Sequence, residues 1–140
     1  MSIFEVALDS FIDMNHELIL LSSQIDWPAV ESEFAGYYCA DNGRPSVPIR
    51  RMVGMMLLKS IYNLSDEGVV ARWMENPYMH DLTGEKVFQK CPPMNPADLT
   101  KFRNRIRVGG VEKIFKLSLY AIHRYTPGTQ PKRIRSILNI

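Results

Sequence analysis

The sequence predicts an all-α fold, a compact bundle of six to eight helices. Three observations carry this expectation. Apolar residues recur at intervals of three and four through most of the chain. Residues that start or stop helices punctuate the pattern: Asp26-Trp27-Pro28, Ser65, Asn76-Pro77, Gly84 and Gly109-Gly110. The strict alternation of a half-buried strand appears in no segment.

Taken in order, residues 3–13 and 16–24 carry Phe4, Ala7, Leu8 and Phe11, then Leu18, Leu21 and Ile25, at helical spacing. Asn15 is placed to cap the second of these. Asp26-Trp27-Pro28 reads as the start of a helix to about Tyr38, because proline in the first turn loses no hydrogen bond. The run CADNGRPSVP, 39–48, reads as a loop. Pro48 then opens PIRRMVGMMLLKSIYN, apolar nearly all round, which belongs in the middle of a bundle, with Met52, Met55 and Met56 as core filler. Ser65 caps the next helix, whose Asp66 and Glu67 suit the positive end of the helix dipole and whose Val69, Val70 and Trp73 face inward. A short helix from Asn76-Pro77 through Leu82 stops at Gly84, and 85–96 form an irregular connection. The helix ADLTKFRNRIRV is expected to stop at Gly109-Gly110, and a last helix runs from Val111 to about Tyr125.

Composition narrows the class. A chain of 140 residues with 46% hydrophobic and 23% charged residues has the balance of a folded domain and not of a disordered one. Secretory signals are missing from the amino terminus, and the longest apolar run, Met52–Leu58, is too short to span a membrane, so a soluble, cytoplasmic protein with no membrane partner is expected. Cys39 and Cys91 read as reduced, buried thiols. The net charge of +2 conceals a strong asymmetry: residues 1–43 contain eight acids and no Lys or Arg, whereas the last forty hold ten basic residues and a single acid, Glu112. Such a gradient points to a basic end that meets a polyanion.

The helix around 99–108 concentrates that charge. Leu99, Phe102 and Ile106 form a narrow apolar seam, and Thr100, Lys101, Arg103, Asn104, Arg105 and Arg107 make up the rest. Guanidinium forks suit phosphates and guanine edges, and asparagine pairs with adenine, so this helix reads as the groove-entering part of a helix-turn-helix-like element. A solvated basic face is the competing reading. Arg44, Arg50 and Arg51 form a second cluster, either for phosphate or for pairing with Asp41 and acids of the first helices. Catalysis finds little support. His16, His80 and His123 are isolated, a Gly-rich phosphate loop is lacking, and metal-ligand spacings do not occur, so catalytic residues, metal sites and cofactors are expected to be none.

The motifs GRP, LKSIYNLSDE, WMENPYM and TKFRNRI, in that order between about Ile25 and Leu117, closely resemble the amino-terminal region of insertion-sequence-five-type (InsH-like) bacterial transposases. The resemblance implies a helical domain, 1–125, divided into acidic helices (1–43) and a basic part (44–125), that recognises the terminal inverted repeats of a mobile element as double-stranded DNA. A homodimer that pairs two ends also follows. By position it implies DNA contacts from Thr100, Lys101, Arg103, Asn104 and Arg105, with Arg44 in the GRP loop. Complete members continue into a ribonuclease-H-like domain whose Asp-Asp-Glu triad holds magnesium. Here the basic ending 126–140 departs from that pattern, so a chain lacking the catalytic domain, a remnant or repressor of transposition and not an enzyme, is the expectation. The alternative is a helical interaction module whose acidic first 43 residues mediate oligomerisation.

Overall fold

The computed structural model describes residues 7–38 and 47–123, with side chains to Leu119. A 3-10 turn, Leu8–Ser10, precedes six helices: α1 (Glu17–Gln24), α2 (Trp27–Ala35), α3 (Ile49–Tyr62), α4 (Asp66–Trp73), α5 (Pro77–Leu82) and α6 (Pro96–His123). Among the described residues there is no strand, only an isolated antiparallel bridge between Ala7 and Val87. The all-α expectation holds.

Local chemistry explains most boundaries. Asp26 accepts from the Ala29 N–H and Ser65 from the Gly68 N–H, each covering a donor that the first helical turn leaves open. Asn76 accepts from both Tyr78 and Met79, with Pro77 at the first position of α5. α3 ends at Asn63, which adopts the left-handed conformation (φ 53°) common at helix ends.

Three boundaries differ from expectation. The predicted helix over 3–13 is reduced, in its described part, to the turn Leu8–Ser10. There the Ser10 hydroxyl bonds the Ala7 carbonyl and the Leu8 N–H bonds Lys86 O, so backbone groups a helix would use are taken by the 85–88 connection. His16, not Asn15, caps α1: its Nδ1 accepts from Leu18, and its ring stacks on Tyr78 at 3.7 Å. Finally, Gly109-Gly110 does not stop the helix over 96–108. The helix resumes and runs on to His123, and the break falls earlier, at Arg107 (φ 58°, ψ −170°).

α3 is the central element, packed on α2, α4, α5 and α6. Val53, Met55, Leu57 and Leu58 are fully buried, as the all-round apolar pattern requires. Against them lie Phe34 of α2, Trp73 of α4, Leu82 of α5, and Leu99, Phe102 and Ile106 of α6. Gly54 lets α3 approach the end of α5, because a Cβ there would stand 3.0 Å from Thr83 Cγ2.

The two described members of the second arginine cluster, Arg50 and Arg51, serve this packing. Arg50 donates to the Leu82 and Asp81 carbonyls and to Ser22 Oγ, with its guanidinium 4.4 Å from the Trp27 ring centre. A cation is favoured there by the C-terminal end of α5. Arg51 pairs with Glu85 and donates to Pro93 O. Their hydrogen-bonded partners among the described residues are thus α5 carbonyls, Ser22, Glu85 and Pro93; an acid of the first helices, Glu31 of α2, acts on Arg50 through its charge and not through a hydrogen bond, and Asp41 lies outside the described residues. Cys91 is exposed, contrary to the expectation of a buried thiol, and Cys39 lies outside the described residues.

Candidate nucleic-acid interface

α6 begins with a reciprocal cap. Asn95 Oδ1 accepts from the Ala97 N–H (3.0 Å), and Asp98 Oδ2 accepts from the Asn95 N–H (3.1 Å). Leu99, Phe102 and Ile106 then seat the helix on the core, each at most 1% exposed. That seam fixes the rotation of the helix. Lys101, Asn104 and Arg105, spaced i, i+3 and i+4, consequently share its outer side. Lys101, Asn104, Arg107 and Val108 are exposed, and Arg105 is half-buried.

Arg103 and Thr100 are held differently. Both nitrogens of the Arg103 fork bond the two Asp66 oxygens at 2.7 Å, a bidentate pair, and Thr100 Oγ1 approaches Asp66 at 3.5 Å. Lys59 reaches the same carboxylate at 2.7 Å. The Arg103 hydrogen bonds, with help from Lys59, hold the Asp66 carboxyl well below the usual carboxylate range. No acid between Asp98 and Glu112 neutralises this helix, as the sequence suggested, but α4 supplies one from outside. Asp66 is therefore both a first-turn acid of α4 and the clamp that orients α6.

Two aromatic residues complete the surroundings. The Arg105 guanidinium lies 4.6 Å from the Tyr38 ring centre and donates to Tyr37 O at 3.4 Å. Burial pushes the Tyr38 hydroxyl pKa up, and Arg105 offsets part of that. Lys113 pairs with Glu33 of α2. One acid of the amino-terminal region thus meets the basic helix within the same chain. Sequence reasoning missed Asp66, Tyr37, Tyr38 and Glu33 as neighbours of α6, because each sits far away in the chain. Arg44 lies outside the described residues.

Along the outer side runs a groove of about 490 Å³, lined by Asn104, Arg107, Val108, Val111, Glu112 and Phe115 beside Arg103. His16 and His80 serve the fold. His80 is buried, stacked between Trp73 (3.7 Å) and Phe88 (4.6 Å), and its Nε2 bonds Trp73 O. Among the described residues no three His, Cys, Asp or Glu side chains come together as a metal-holding group. No helix of the described residues is long and apolar enough to cross a membrane.

The family model described as "Transposase domain (DUF772)" matches residues 6–105, from the amino-terminal turn through the first part of α6. The chain belongs to this family. The transposase domain is also 38% identical over 119 residues to an uncharacterized protein, ORF8 in the nfe locus of Rhizobium meliloti. That likeness covers 85% of this chain and 57% of the other, so the chain spans little more than half the length of the curated relative it matches. No solved structure matches it. Within the transposase domain, the matched region includes the Asp66 clamp and the outer residues Lys101, Asn104 and Arg105, and it ends just before the break at Arg107.

Proposed function

We propose that this transposase domain binds duplex DNA through the outer side of α6, recognising the terminal inverted repeats of an element of the insertion-sequence-five type. The observation that carries this reading is the placement of Lys101 and Asn104 in solvent beside Arg105 and Arg107, on a helix anchored rigidly by Leu99, Phe102 and Ile106. A helix fits the major groove, where asparagine pairs bidentately with adenine and cations neutralise flanking phosphates. Lys101 and Arg107 take the phosphate role, Asn104 the base-edge role, and Arg105 is aimed by the Tyr38 ring. Arg103 and Thr100, bound to Asp66, orient the helix and stay out of base contacts. α3 and α4 pack on it, and α4 is read as its helix-turn-helix-like brace. No catalytic step is assigned to the described residues; the magnesium-dependent strand chemistry that the resemblance implies belongs to the ribonuclease-H-like part of complete family members.

The test is a fluorescence-polarisation titration of a labelled duplex carrying the element's inverted repeat, against a scrambled duplex, over a range of salt. Lys101→Ala with Asn104→Ala weakens repeat binding about tenfold to a hundredfold, and Lys101→Ala alone lowers the salt slope by about one. A folded double variant that binds the repeat as tightly as the parent removes α6 from the interface.

A further inference from the structure

Arg107 holds a backbone conformation (φ 58°, ψ −170°) reached almost solely by glycine. Three residues on, Gly110 closes the bend: a Cβ there would lie 2.5 Å from Cβ and 2.9 Å from Cγ1 of Ile106. In an unbroken helix, side chains four residues apart stand about 5–6 Å from each other, so this crowding belongs to the bent form alone. The buried residues nevertheless keep one register across the break. Ile106, Gly110, Ile114 and Leu117 follow spacings of four, four and three, the single face of a straight helix. A different side of the second half is left uncovered: Val108 is 72% exposed, Phe115 54% and Leu119 38%, at i, i+7 and i+11.

We propose that two copies of this chain exchange the 108–123 half of α6 by straightening at Arg107. Straight, the 28 residues of α6 reach about 42 Å, against a diameter of about 35 Å for a domain of this size. The second half then projects beyond its own core. Ile114 and Leu117 fill, in the partner subunit, the sites they occupy in the bent chain. Lys113 meets Glu33 of the partner subunit, and Ser118 meets Ser60 of the partner subunit in place of the 2.9 Å contact within one chain. Each native contact is remade across the two-fold axis, both Arg107 residues leave the glycine region, and the two Val108–Phe115 stripes face one another near that axis. A second copy fits the uncovered stripe for this reason: the straightening that relieves Arg107 brings the same stripe of the other helix alongside. The exchange rests on the α6 backbone and is independent of the DNA-binding reading; all its measurements are made without DNA.

The experiment measures the mass of the full chain by light scattering over rising concentration. Gly110→Ala disfavours the bend and raises the dimer fraction, whereas Arg107→Gly relaxes the bend and lowers it. Their dimer dissociation constants are expected to differ by about tenfold or more. A cysteine test reports the exchange itself, in chains with Cys39 and Cys91 replaced by Ser. A Ser60→Cys chain mixed and refolded with a Ser118→Cys chain is expected to form a disulfide between chains on oxidation. Equal masses for the Gly110→Ala and Arg107→Gly chains, or the opposite order, overturn the proposal. So does a chain carrying both cysteines that bridges internally while the mixed single variants never bridge.

Discussion

Replacing Asp66 by Asn tests the clamp on which the orientation of α6 depends. The substitution keeps the shape and removes the charge that Arg103 grips with two 2.7 Å hydrogen bonds and Lys59 with a third contact at 2.7 Å. The side chains of Asp66 and Arg103 are 16% and 27% exposed, so the pair is screened less than a surface bridge and more than a buried one. Hydrogen bonds to charged groups contribute about 1.5–3 kcal/mol, and two cations are left facing one another, so Asp66→Asn is expected to cost about 2–3 kcal/mol at neutral pH. At this chain length that lowers Tm by roughly 6–12 °C, read by circular dichroism at 222 nm. A double-mutant cycle with Arg103→Met isolates the pair, with an expected coupling of about 1.5–2.5 kcal/mol. The pH dependence carries the sign. Asp66 titrates lower in the folded chain than in the unfolded one, so its contribution is complete above about pH 5 and is lost as pH falls below about 4. The parent and Asp66→Asn therefore converge in stability under acid. A coupling below about 0.5 kcal/mol, or a difference that does not shrink at low pH, refutes the clamp. Such a result would return Arg103 to the set of residues available to DNA.

Two further substitutions probe the interior. Thr83→Val leaves the buried Trp73 Nε1–H, which donates to Thr83 Oγ1 at 2.9 Å, without an acceptor, and is expected to cost about 1–3 kcal/mol in urea unfolding. His80 accepts the Gln89 N–H on Nδ1, so its Nε2 carries the proton given to Trp73 O, and the neutral ring is satisfied on both sides. Burial lowers its pKa, partly countered by the Trp73 carbonyl and Glu85. A histidine depressed on folding contributes fully above its unfolded value near 6.5 and loses that contribution as pH falls toward its folded value. The parent chain is therefore expected to lose more stability than His80→Gln between pH 7 and 5, in parallel urea titrations.

Most of the helices, the caps of α2, α4 and α5 and the inward faces were legible in the residues, because helix formation depends on neighbours three and four positions away and on capping side chains at the ends. Asp26, Ser65 and Asn76 each cap where the sequence placed them, and the all-apolar α3 lies at the centre. The seam Leu99, Phe102 and Ile106 was equally plain, and with it the side of α6 that must face outward. What the arginines do was not. Arg50, Arg51 and Arg103 look alike along the chain, yet two brace α5 and the connection after it, and the third closes on Asp66. A cation's role depends on which carboxylate, carbonyl or ring comes within a few ångströms, and those partners arrive from tens of residues away. The break in α6 shows the same division. The glycine pair marked the right neighbourhood, but the turn itself fell on Arg107, two residues before it, where Ile106 closes over Gly110 and leaves no room for a Cβ. Local pattern determined which segments coil and which sides are oily; only the assembled core decided which charges are spent within the chain and which are left facing water.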